Sequence, residues 1–340
     1  MNMNVSTSAN ARWPELEPSS KFLAKHPADE VGAWRDLRSR VVDIAAKNGW
    51  TKSETSKRIG MADSSFSLWM SGTLDGILEN ANATVARWLD AVEDAADVAS
   101  SLPRSPDFFA THASAEIHKT LLLAQTISGF VTITLDAGRG KTISCEAYRR
   151  VKPHVHMVTL HEKATTVTGA MNMLARQFGV RVFNQGEIVE TIGERLKRSG
   201  NSLLIIDEAQ HADGRAVNQF RHFSDKYDCG VALVGNAGIR RRISQDGPNA
   251  ASRDQIVSRI DKNLKRDHGR EGDVRAFIEQ WGIADPACNR FLFGIGMKGG
   301  ALRQIDRTIK IACFAAGRPA SELEKKHLEA AWRNRDVEDF

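Results

Sequence analysis

Lys141 and Thr142 follow Gly140 in the run Ile133-Thr-Leu-Asp-Ala-Gly-Arg-Gly-Lys-Thr142, and residues of these types in this order can hold a phosphate. A glycine-containing loop lets backbone N–H groups converge on phosphate oxygens, helped by the positive end of the helix that follows. Lys141 would reach the β- and γ-phosphates of ATP, and the Thr142 hydroxyl would ligate Mg²⁺. Ala137, Gly138, Arg139, Gly140, Lys141 and Thr142 are therefore the candidate phosphate-binding residues. The full pattern, G-x-x-x-x-G-K-[ST], asks for a glycine where this chain has Leu135. That departure constrains the start of the loop but removes no phosphate ligand. About sixty residues on, Leu203-Leu-Ile-Ile-Asp-Glu-Ala-Gln210 is an apolar run ending in two carboxylates. Asp207 is placed to hold Mg²⁺ together with Thr142, and Glu208 to activate an attacking water. Asn236, at the end of Val231-Ala-Leu-Val-Gly-Asn236, could orient that water. Arg259, expected on a helix in Gln255–Ile260, could act as a finger on a neighbouring subunit's nucleotide, with Arg253 as an alternative. Arg303, at the start of a helix opened by Gly299-Gly300, could point back at the phosphates from a lid.

These side chains must be carried by strands whose ends meet at one place. Val131–Leu135, Val155–Leu160, Leu203–Ile206 and Val231–Val234 are short, continuous apolar runs alternating with helical stretches. That is the pattern of strands buried on both faces of a parallel sheet. The expected architecture is α/β: an AAA+ P-loop NTPase core with a parallel sheet, an N-terminal all-α helix-turn-helix domain and a C-terminal helical lid. The expected boundaries are a disordered arm over 1–30, the helix-turn-helix domain over 31–95 and a Pro-containing linker over 96–115. The ATPase core follows over 116–265 and the lid over 266–340. With 340 residues the chain can bury a large core without staples. A hydrophobic content of 41% and a charged content of 26% are those of an ordinary soluble protein. No apolar run reaches the ~18 residues of a membrane span, so no membrane partner is expected and the expected location is cytoplasmic. The four cysteines lie far apart and read as free thiols.

A net charge of +5 permits nucleic acid without demanding it, so the position of the charges matters more. In Thr51–Gly72, Thr51 and Glu54 form a capping box that starts one helix, Ile59-Gly60-Met61 turns, and Ala62–Ser71 forms a second. Phe66 and Met70 would pack that second helix on the first. Ser64, Ser65 and Ser67, with Lys52 and Lys57 nearby, remain polar near its start. This is a helix-turn-helix for double-stranded DNA, and short hydroxyls read bases weakly, so little sequence preference is expected. Arg240–Arg242, and Arg149, Arg150 and Lys152, are further basic clusters that could line a DNA-contacting surface of an assembly.

A helix-turn-helix module ending in the stretch Ser65–Gly76, a linker, and a core carrying Asp136-Ala-Gly-Arg-Gly-Lys-Thr142 and Leu203–His211 together resemble the phage Mu B-type transposition proteins, and more loosely the ATPase subunits of other transposable elements. The resemblance spans about residues 35 to 310. It implies an ATP-dependent DNA-binding ATPase of the bacterial host cytoplasm that self-assembles into a helical filament or ring on DNA. Such a protein would deliver target DNA to a transposase. It also implies slow, partner-stimulated hydrolysis, with Lys141, Thr142, Asp207, Glu208, Asn236, Arg259 and Arg303 carrying the nucleotide chemistry. Two other readings share parts of the pattern: a helicase-loader or replication-initiation ATPase, and a nucleotide-switched helix-turn-helix transcriptional regulator with a palindromic operator.

Overall fold

The computed structural model describes residues 13, 17–181, 184–245, 254, 256–265 and 268–336. Two compact units divide the chain, Met1–Leu102 and Pro103–Phe340.

The first unit is helical. Helix α1 (Ser20–Lys25) is capped by the Ser19 hydroxyl, which accepts from the Phe22 amide. Helix α2 (Ala28–Asn48) buries Val31, Trp34, Leu37, Val41 and Ala45, a stripe at the three-to-four spacing of one helical face. Phe22 is buried against Trp34, with ring centroids 5.1 Å apart. The disordered arm expected to residue 30 is therefore corrected over α1 and the start of α2. Aromatic anchors hold this stretch although it has few aliphatics. Residues 1–12 and 14–16 lie outside the described residues. Helix α3 (Lys52–Ile59) begins at the Thr51–Glu54 capping box and ends at Gly60, whose φ of 82° suits a residue without Cβ. Helix α4 (Asp63–Met70) follows at once, and α5 (Leu78–Ser101) closes the unit. Trp69 anchors α4: its Nε1 donates to Asn82 of α5 at 2.9 Å, and its carbonyl accepts from Trp34 Nε1 at 2.7 Å. Helix α5 occupies positions up to 101, so the expected linker begins later than residue 96.

The second unit is built on a five-stranded sheet in the order β2-β3-β4-β1-β5, with every pairing parallel. The strands are β1 (Phe130–Ile133), β2 (Val155–Thr159), β3 (Ser202–Asp207), β4 (Cys229–Val234) and β5 (Ile260–Leu264). Alternate residues feed the two faces: Leu204, Ile206, Val231 and Leu233 on one, Leu203, Ile205, Ala232 and Val234 on the other. Helices α6 (His112–Ile127) and α7 (Lys141–Val151) cover the second face. Helices α8 (Val167–Gln177), α9 (Gln185–Ser199), α10 (Gly214–Tyr227) and α11 (Gly238–Gln245) cover the first. Burial on both faces explains why β1, β3 and β4 read as unbroken apolar runs, while the edge strand β2 buries Val155, Met157 and Val158. The edge strand β5 pairs only with β1 and buries only Leu264 fully, and its sequence IDKNL carries no such signal. The lid comprises α12 (Arg270–Glu279), α13 (Pro286–Gly296), α14 (Ala301–Ala316) and α15 (Lys325–Arg335), around a core of its own that includes Ile305, Ile309 and Trp332. Asp273 of α12 is buried, and its carboxylate caps α6, accepting from the amides of His112 at 2.6 Å and Ala113 at 2.9 Å.

Candidate nucleotide site

All the strands run parallel, so their C-terminal ends lie along one edge of the sheet, where ligands of such sheets bind. There, β1 gives way to the phosphate loop. Leu135 is buried in the core with Ile133 and Cys145, and it has no positive φ. The loop therefore begins in a conformation that leucine adopts without strain. The turn itself falls on Gly138 and Gly140, with φ of 75° and 72°, which only glycine adopts at little cost.

A cavity of about 500 Å³ opens over this loop. Ala137, Gly138, Arg139, Gly140, Lys141 and Thr142 line it, together with Glu208, Asn236 and Arg303. Lys141 Nζ donates to the carbonyls of Leu135 at 2.7 Å and Asp136 at 2.8 Å. Burial holds its ammonium below the usual lysine range, opposed by the charges of Glu208, Asp207 and Asp136. Asp207, at the end of β3, lies beneath the loop and accepts from the Thr142 hydroxyl at 2.9 Å. Burial pushes its carboxyl above the usual carboxylate range, and the Thr142 bond works against that shift. Glu208 sits one residue on in a left-handed conformation, φ 52°. Its carboxylate accepts from the side-chain amide of Gln210, and Gln210 Oε1 in turn accepts from the Asn236 amide at 3.3 Å.

The paired oxygens of Thr142 and Asp207 fit Mg²⁺. That ion takes hard oxygen ligands, keeps several waters, and commonly binds through one or two protein groups plus substrate phosphates. No group of three or more His, Cys, Asp or Glu gathers among the described residues, so a cage that would strip such an ion of its waters is absent there.

The lid supplies more of this cavity than Arg303. Asp306, Arg307 and Lys310 of α14 line it as well, and so do Ser105 and Pro106 from the segment ahead of α6. The spacing 303, 306, 307, 310 is one face of a helix, a signal available in the sequence that the single choice of Arg303 passed over. Ser105 and Pro106, in a stretch expected to be linker, thus form part of the wall, and Phe109 stacks on Phe277 of α12 with centroids 6.3 Å apart. The lid also touches the phosphate loop directly: the Leu302 amide donates to the Gly138 carbonyl at 3.2 Å.

Arg259 is not brought to this cavity. It lies in a turn after helical residues 256–258, at the N-terminal end of β5, with its side chain 61% exposed and 3.7 Å from Asp225 of α10. The expectation of a helical position is corrected to that turn. Arg253 lies outside the described residues.

The helix-turn-helix residues belong to the first unit. Lys52 and Lys57 of α3 and Ser64 and Ser67 of α4 are exposed, and Ser65 is half-buried. Asp63 joins the two helices by accepting from the hydroxyls of Ser56 and of Ser53, the latter at 2.9 Å. These bonds, helped by Lys57, hold its carboxyl below the usual range. Phe66 and Met70 are buried as expected.

Residues 258–334 match the family of the Mu B transposition protein C-terminal region, and residues 126–243 match an AAA domain. ATP-dependent target DNA activator B of Escherichia phage Mu is 23% identical over 305 residues, covering 89% of this chain and 96% of that protein. Mu-like prophage FluMu DNA transposition protein B of Haemophilus influenzae is 24% identical over 261 residues, covering 76% of this chain and 90% of that protein. Among solved structures, Cdc6p from Pyrobaculum aerophilum superposes with a TM-score of 0.48 at 14% identity, covering 64% of this chain and 65% of that one.

Proposed function

From the premise that this chain is a homologue of the Mu B transposition proteins, carrying an AAA domain, we propose that it is a DNA-assembling ATPase. In this reading it binds duplex DNA with little sequence preference, polymerises along it as a helical filament or ring, and presents it to a transposase. One observation carries the reading: in a Mu B homologue, Lys141, Thr142, Glu208, Asn236 and Arg303 converge on one cavity, with Asp207 hydrogen-bonded to Thr142 below it.

Each side chain then has a task. Lys141 exchanges its bonds to loop carbonyls for bonds to the β- and γ-phosphates. Thr142 and Asp207 would hold Mg²⁺, and that ion would supply neutralisation of charge on the phosphate oxygens. Glu208 takes a proton from the attacking water, Asn236 orients that water, and Arg303 steadies the phosphates from the lid. Arg259, far from its own subunit's nucleotide and exposed, acts in trans across a subunit interface. Nucleotide at that interface favours the assembled state and hydrolysis favours release, a population shift driven by differential affinity. In the first unit, Lys52 and Lys57 meet phosphates, and Ser64, Ser65 and Ser67 approach the groove with side chains too short for strong base selection.

Electron microscopy of the protein on random-sequence duplex with a non-hydrolysable ATP analogue tests this, and continuous coated filaments are the expected result. Bare duplex, or protein confined to one sequence, would overturn it. Lys141→Ala should lose nucleotide binding and assembly together. Glu208→Gln should bind ATP, fail to turn it over and remain on DNA.

A further inference from the structure

Gln210 stands between two cavities. One is the nucleotide cavity lined by Glu208 and Asn236. The other, of about 530 Å³, is lined by Gln210, His211, Arg241, Arg242, Thr165 and Glu162. It lies against α11, whose sequence GIRRRISQ carries three consecutive arginines and no acid.

Gln210 makes a separate bond in each direction. Its side-chain Nε2 donates to Glu208 Oε2, and its Oε1 accepts from the Asn236 amide at 3.3 Å. Its backbone carbonyl accepts from Arg242 Nε, also at 3.3 Å. The surroundings are shaped to admit this side chain. A Cβ on Gly235 would lie 2.1 Å from Gln210 Oε1, and one on Gly238 would lie 3.2 Å from Gln210 Cβ. Only glycine at 235 leaves the carboxamide where it is. Glu208 meanwhile sits in a left-handed conformation, a strained arrangement that persists only when neighbours over-determine it. The carboxamide of Gln210 is such a neighbour.

We infer that Gln210 is a positioning residue for the Glu208 carboxylate, and that it passes to Glu208 the docking of a DNA backbone phosphate between Arg241 and Arg242. The inference rests on the ATPase reading above and adds how that site is regulated. The chemistry of the second cavity selects the ligand. Two guanidiniums on successive residues present planar donor forks that match phosphate oxygens, and Glu162, the one carboxylate on the rim among the described residues, is outnumbered. A guanidinium has five N–H donors, and the bond to the Gln210 carbonyl uses one of them. A phosphate that draws Arg242 towards itself therefore pulls on the backbone of the residue whose side chain holds Glu208.

The test is steady-state ATP hydrolysis by the full chain, with and without random-sequence duplex, alongside equilibrium binding of a fluorescent ATP analogue. Gln210→Glu keeps the shape of the side chain but replaces the donor facing Glu208 with a second acceptor. It should lower kcat about tenfold or more, the usual cost of removing a partner that orients a catalytic group, while KM and analogue affinity stay close to wild type. A side chain that merely packs would tolerate Gln210→Met, which keeps the length and adds no charge, so wild-type kcat in Gln210→Met would overturn the positioning role. Retained analogue binding shows that the variant is folded. In the double variant Arg241→Ala, Arg242→Ala, the ratio of duplex-stimulated to basal turnover should fall towards one. A ratio equal to wild type would overturn phosphate docking on α11 as the trigger. A wild-type chain that hydrolyses no ATP under either condition would instead overturn the ATPase reading itself.

Discussion

Gly138→Ala separates the phosphate loop from the lid. At φ 75° an alanine pays the left-handed penalty of about 1–2 kcal/mol. Its Cβ would also fall 1.9 Å from the Gly300 carbonyl oxygen and 2.5 Å from the carbonyl carbon, both backbone atoms that cannot rotate away. Restoring ordinary contact requires Gly300 to retreat by about 1.5 Å, and the Leu302-to-Gly138 hydrogen bond, worth about 1 kcal/mol net, is lost with it. Gly140→Ala provides the internal control, because φ is 72° there and an added Cβ meets nothing within 4 Å. Without nucleotide, Gly140→Ala should melt lower by roughly 2–8 °C and Gly138→Ala by several degrees more, at a few degrees per kcal/mol for a domain of this size. Gly300 caps α14, which places Arg303, so the retreat also misplaces that guanidinium. A displacement of this size costs up to about a hundredfold in turnover. ATP hydrolysis by Gly138→Ala should therefore fall as far as that of Arg303→Ala, and the double variant should fall no further, because both act through one contact. Equal melting points for the two glycine variants, together with additive losses in the double variant, would refute this reasoning.

Leu135→Gly, which restores the glycine of the common phosphate-loop pattern, should destabilise the protein by about 3–5 kcal/mol in urea unfolding without raising kcat, because it empties a core position. Asp273→Ala leaves the amides of His112 and Ala113 without their shared acceptor and should cost about 1–3 kcal/mol of thermal stability; Asp273→Asn should recover part of it. Iodoacetamide in mildly alkaline buffer should leave all four cysteines of the native chain unmodified and label all four in urea. Each is buried, and burial pushes the thiols up, those of Cys229 and Cys288 to about 12.

The convergence of the candidate site's residues on one cavity was legible where those residues are contiguous in the chain. Gly138–Thr142 and Asp207-Glu208 each sit on one strand end, where residue type and order together specify the task. The three inner strands β1, β3 and β4 were legible for a related reason, since burial on two faces forces an unbroken apolar run. Features set by tertiary contact were less legible. The strand β5 reads as polar because its faces are largely uncovered, with only Leu264 fully buried. Ser105 and Pro106 reach the cavity only through folding of the segment ahead of α6. Phe22 anchors a stretch whose overall composition suggests disorder. Gln210 stood at the end of the run Leu203–Gln210, but its bond to Glu208 depends on the left-handed turn at Glu208, and its bond to Asn236 on a return of the chain 26 residues later.

Binding normally carries a cost in entropy for immobilising loops and lids. In this protein the fastenings of the lid include Asp273 on the amides of α6 and Leu302 on the phosphate loop. Both fastenings lie within the second unit and form as it folds, so the ordering is complete before a nucleotide arrives. The entropy measured on nucleotide binding should then belong to the ligand and its water rather than to the lid. The same fastening governs departure. On the proposed reading a spent nucleotide would leave past the contact between Leu302 and Gly138, and its dwell time should lengthen or shorten with how often that contact opens.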